Sequence, residues 1–124
     1  MATLGPVPVG IGAIILGTAQ TGNVDTTNTL DRGTYQGGSA LVITSAVGAT
    51  PSVTANIQGS VDGSTWFNVP YSLVATPRTF VLTAITITSA VTTTYLLQEL
   101  VFWRYLKVVY SANTNVTLTT TAYI

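Results

Sequence analysis

Chemistry in this chain would have to come from eight charged side chains: Asp25, Asp31, Arg32, Asp62, Arg78, Glu99, Arg104 and Lys107. The sequence has no histidine and no cysteine. The commonest general base, the commonest zinc ligand and every thiolate are therefore missing. A nucleophilic serine or threonine would need Lys107 or a carboxylate as its base. Lys107 sits in a strand-like pattern with no Ser-x-x-Lys spacing around it. A two-carboxylate hydrolase needs converging acids, whereas the four acids here are scattered one to a segment. The stretch IQGSVDGSTWFNV (57–69) offers a different chemistry, a calcium loop built from Asp62, backbone carbonyls and hydroxyls. A single carboxylate without a D-x-D-x-D-G repeat reads instead as a turn, in which Asp62 bonds locally and Gly63 accepts positive φ. The expectation is a protein that is no enzyme, with no catalytic residue, no metal ligand and no cofactor.

Binding is the remaining class. The charges amount to 6% of 124 residues and sum to zero, against about 25% in an average soluble domain. No basic footprint exists for nucleic acid or an anionic membrane, so neither is an expected partner. So little charge leaves little to keep copies apart. Self-association and a covering partner are expected, alongside a surface of Thr, Ser, Asn and Gln. Aromatic stacking of a sugar is an alternative, with Trp66, Tyr71 and Trp103 as its candidate side chains.

The elements that position these residues read as strands. β-Branched residues dominate, threonine is the commonest type, and no helical period is sustained. Val53–Ser60 alternates Val53, Ala55 and Ile57 against polar residues, and Phe80–Thr88 alternates Val81, Ile85 and Ile87 against threonines. Ser39–Ala46 is expected to end at a Gly48–Pro51 turn. Trp66–Val69 is expected to return after Asp62–Gly63, with the Trp66 ring on the core. Arg104–Ser111 and Val116–Tyr123 read as a final pair joined across Ala112–Asn115. Only 95–106 is ambiguous between a short helix and a buried strand.

The opening run MATLGPVPVGIGAIILG is apolar, but it has no basic start and is broken by Pro6, Pro8 and glycines. It therefore suits neither a signal peptide nor a membrane helix. The expected organisation is an extended N-terminal arm and loop over 1–37 and an all-β, antiparallel, jelly-roll-like β-sandwich over 38–124. An apolar arm needs a surface to lie on. Leu4, Val7, Val9, Ile11, Ile14 and Ile15, with Arg32 and Arg78, are the expected capsid or oligomer contacts under the resemblance that follows.

IQGSVDGSTWFNVPYSL followed by FWRYLKVVYSANTNVTLTTTAYI resembles discoidin-type jelly rolls, through Gly59, Ser60, Asp62, Gly63, Trp66, Arg104 and Tyr105. The same grammar resembles small structural proteins of tailed bacteriophages, in particular head decoration (cement) proteins and tail components. Discoidin domains usually carry a terminal disulfide and run longer, which favours the phage resemblance. That resemblance implies a virion protein on the capsid exterior, made in the host cytoplasm. Its implied partners are the major capsid protein and its own copies, with a homotrimer favoured over a dimer.

Overall fold

The structure is a computed structural model that describes residues 12–33, 38–97 and 103–124. Leu4, Val7, Val9 and Ile11 lie outside the described residues. Among the described residues there are nine strands and no helix, so the all-β, antiparallel expectation is met, including on both described flanks of the ambiguous 95–106 window. No helix of the described residues is long and apolar enough to cross a membrane.

In chain order the strands are β1 (Ala13–Gln20), β2 (Leu30–Asp31), β3 (Ser39–Ser60), β4 (Phe67–Asn68), β5 (Tyr71–Leu73), β6 (Thr76–Val81), β7 (Ile85–Ile87), β8 (Thr92–Leu97) and β9 (Tyr105–Tyr123). They form one antiparallel sheet in the order β1-β9-β3-β8-β5-β6. β2 pairs with β9, and β4 and β7 pair with β3.

The organising unit is a long ribbon of β3 against β9, paired from Ala40↔Tyr123 at one end to Ser60↔Tyr105 at the other. It is bent in the middle, where the ladder slips between Val47↔Val116 and Thr54↔Ser111. Thr50, Ala112 and Asn115 take left-handed φ values of 46°, 50° and 54° at this corner. Asn113 clamps it: its Oδ1 accepts from Val116 N–H at 3.0 Å and its Nδ2 donates to Val116 C=O at 2.9 Å. The two turns expected at Gly48–Pro51 and Ala112–Asn115 are therefore bends within continuous strands, not the ends of strands. Each half keeps its partner on the facing strand, so the local turn chemistry bends the ribbon without closing a hairpin.

The bend supplies the two layers. Residues ten apart in a straight strand would be about 33 Å apart, yet the hydroxyls of Tyr110 and Thr120 share a hydrogen bond. The inner faces of one folded sheet thus meet, where a sandwich of two sheets was expected. Burial follows the period of two: Leu41 and Ile43; Val53, Ala55 and Ile57; Leu106, Val108 and Tyr110; Val116, Leu118, Thr120 and Ala122 all lie inside. Ile85 and Ile87 of β7 complete that core, whereas the expected strand Phe80–Thr88 is divided between β6 and β7.

The described part of the segment expected as arm and loop is built into the sheet. β1 pairs with the end of β9, Leu16 is fully buried, and Thr26 N–H and Val24 C=O bond to Val108 and Tyr110 of β9. Leu16 and Leu30 fill the core from this side, which an arm lying on a neighbour would not do.

Candidate interaction surface

The Asp62 loop is a built turn. Asp62 Oδ1 accepts from Ser64 N–H at 2.8 Å, Thr65 N–H at 2.9 Å and the Ser60 hydroxyl at 3.0 Å. These bonds, that from Thr65 foremost, hold its carboxyl below the usual carboxylate range. The loop returns the chain so that Phe67 and Asn68 pair with Gly59 and Gln58. Among the described residues no group of three His, Cys, Asp or Glu converges on a metal-sized site. Gly63 has φ 81°, and a Cβ there would lie 3.4 Å from the Tyr105 ring. Gly63→Val should cost about 1–3 kcal/mol for the left-handed conformation alone, read as a fall in denaturation midpoint.

The aromatic candidates are each already engaged, and Tyr71 and Trp103 pack partly buried against the core. Lys107 Nζ sits 4.3 Å from the centroid of the Trp66 ring and pairs with Asp25 at 2.9 Å. The Trp66 ring, expected on the core, is half-buried on the outer face instead. Trp103 lies against Gly59 and 6.0 Å from Phe67, centroid to centroid. Tyr71 packs edge-on against Tyr95 at 5.3 Å. The three candidate sugar-stacking residues thus sit on three different neighbours, with no ring contact joining any two of them.

Asp31, Arg104 and Arg32 are also engaged internally. Arg104 pairs with Asp31 at 3.0 Å; that hydrogen bond holds the Asp31 carboxyl down and raises the guanidinium. Arg32 is 7% exposed and donates from Nη1 to Trp103 C=O at 3.2 Å, so it faces inward, where an outward contact was expected. Ile14 packs partly buried against the core, while Ile15 is 57% exposed.

Arg78 is different. It lies on β6, the free end of the sheet order, where every residue is exposed, and it forms no ion pair among the described residues. Around it the hairpin of β5, β6 and their flanks presents Leu73, Val74, Phe80, Val81 and Leu82 to solvent. β6 pairs with β5 alone, through a ladder that slips between Tyr71↔Val81 and Leu73↔Thr76. Apolar residues on both faces of an edge strand mark a contact surface. Sequence reading singled out Arg78 but assigned Val81 to an inward alternation; the signal was the lone arginine among apolar residues.

A cleft of about 470 Å³ lies at the ribbon's corner, lined by Gly22, Val47, Gly48, Asn113, Asn115 and their neighbours. None of its lining residues is titratable, so it offers shape and amide groups without acid–base chemistry.

No family model matches the chain, and no curated protein matches it. Among solved structures, the crystal structure of the SPBc2 prophage-derived protein YomS is similar to it. The match covers 98% of this chain and 98% of that chain, with a TM-score of 0.63 and 7% sequence identity. The two proteins share a fold.

Proposed function

We propose that this chain is a structural protein of a bacteriophage particle. It binds the outside of the capsid and cements the shell through contacts to the major capsid protein and through its own oligomer, most simply a trimer. The observation that carries this reading is the β5–β6 hairpin, an exposed apolar edge around Arg78, which has no ion pair among the described residues, on a chain whose other described charges are satisfied internally. Such a surface is suited to being covered by another polypeptide, with Arg78 fixing the register against a carboxylate. The shared fold with a prophage-derived protein supports the phage setting. Repetition of a modest contact around a shell gives particle stability through avidity.

The test is co-sedimentation of purified protein with capsids of the encoding phage, together with light scattering for oligomer size. Wild-type protein should pellet with capsids and raise their melting temperature. Phe80→Asp with Leu82→Asp should abolish pelleting while leaving the circular dichroism spectrum unchanged, because both positions point to solvent. Deleting residues 1–11 tests separately the apolar stretch expected to act as an arm; a longer deletion through residue 17 would remove Leu16 from the core and confuse binding with unfolding. Wild-type protein that stays monomeric and leaves capsids unbound would refute the proposal.

A further inference from the structure

Asp-Gly is the dipeptide most prone to spontaneous isomerisation, and Asp62–Gly63 is exposed to water. In that reaction the Gly63 amide nitrogen attacks Asp62 Cγ, and a new C–N bond forms as a carboxyl C–O bond breaks. One proton from the amide and the hydroxyl of the protonated carboxyl leave together as water, and a five-membered succinimide remains. Water then adds to either ring carbonyl, returning aspartate or giving isoaspartate, whose extra methylene is in the main chain. The step needs an amide nitrogen free to lose its proton and a carboxyl free to take one and swing onto that nitrogen.

Here both are held by one side chain. Ser60 is polar yet fully buried at the end of β3. Its Oγ accepts from Gly63 N–H at 2.9 Å, and its hydroxyl donates to Asp62 Oδ1 at 3.0 Å. The same Oδ1 also accepts from Ser64 N–H and Thr65 N–H, so three donors hold that carboxylate oxygen in place.

We propose that Ser60 is a chemical guard of the Asp62–Gly63 bond: its one hydroxyl engages both the amide proton and the carboxylate oxygen, so that neither is free for the step and the folded chain resists isoaspartate formation. The turn's stability and this chemical protection are separable, because only the latter is read as isoaspartate at one position. The lowered proton affinity of Asp62 acts in the same direction, since an ionised carboxyl is the poorer electrophile. The inference is independent of what the protein binds.

The experiment ages folded wild-type protein, the same chain in urea, and Ser60→Ala at neutral pH, and quantifies isoaspartate at residue 62 by peptide mapping. Folded wild type should isomerise far more slowly than the unfolded chain. Ser60→Ala should accelerate the reaction roughly tenfold, the equivalent of one hydrogen bond in the barrier. Melting curves of both proteins establish that the variant is folded during ageing. Should it unfold, amide hydrogen exchange at Gly63 in wild type decides: strong protection is expected, and exchange at the rate of a free peptide overturns the guard. The proposal is equally overturned if folded wild type isomerises as fast as in urea, or if folded Ser60→Ala is as slow as wild type.

Discussion

Tyr110→Ala should destabilise the fold by about 3–5 kcal/mol, the range for emptying a large buried aromatic site, read from chemical denaturation. Tyr110 is the largest fully buried side chain among the described residues. Its ring fills the space between the two halves of β9, and its hydroxyl shares a hydrogen bond with Thr120 across the fold. Tyr110→Phe isolates the polar part: it leaves the Thr120 hydroxyl buried without that partner and should cost about 1–3 kcal/mol. Adding Thr120→Val to Tyr110→Phe should recover part of that loss, because two apolar groups then face each other.

The same residue sets an alkaline limit. Burial pushes the Tyr110 hydroxyl up to about 12, against the opposing pull of its bond to Thr120. Its folded value lies above the unfolded value near 10, so the neutral phenol is the form that folding favours. This contribution is fully present below about pH 10 and is lost as pH rises through 12. Wild type should therefore lose on the order of 2–3 kcal/mol relative to Tyr110→Phe across that window. Parallel alkaline curves for the two proteins would remove Tyr110 from this role.

Gly59→Ala should be a damaging single-methyl addition, because Gly59 lies on the inner face of β3 with Val53, Ala55 and Ile57. A Cβ at Gly59 would sit 2.7 Å from two atoms of the Trp103 indole and 2.8 Å from Val69 Cγ2, distances that real side chains do not tolerate. Neither neighbour has room to yield cheaply, because Val69 is buried and the indole is rigid. Overpacking of this kind costs about 1–3 kcal/mol. The displaced Trp103 should report itself by a red-shifted emission, and Trp66→Phe as background leaves Trp103 as the only indole in the 124-residue chain. Unshifted emission with unchanged stability would show that the packing of Trp103 and Val69 on Gly59 is looser than its geometry.

Much of the sheet was legible because alternation is a direct print of the pleat: Val53, Ala55 and Ile57, and likewise Val116, Leu118, Thr120 and Ala122, are inside as their spacing implies. The Asp62–Gly63 turn was legible for the same local reason, since its bonds span three residues. The corner was not. Gly48–Pro51 and Ala112–Asn115 have the residues of hairpin loops, and whether such residues close a hairpin or bend a ribbon depends on which strand lies opposite, tens of residues away. The β5–β6 hairpin was misread because alternation presumes one buried face, and on β6 both faces are exposed. The arm expectation failed over 13–20 because an apolar, glycine-containing run looks alike whether its cover is a neighbour or its own β9.

The folded ribbon also fixes the timing of the protein's own assembly. β1 and β3 both lie beside β9 and not beside each other, so the sheet lacks its middle strand until the last part of the chain is made. At about 5–20 residues per second, the ribosome holds an open β3, with Leu41, Ile43, Val53, Ala55 and Ile57 uncovered on one side, for several seconds. The pairing that closes it joins residues as distant as Ala40 and Tyr123, the kind of contact that makes all-β domains fold in milliseconds to seconds. Nascent chains crowded on one message are thus exposed to pairing with one another, and cells expressing this protein should hold it soluble best when few ribosomes load each message.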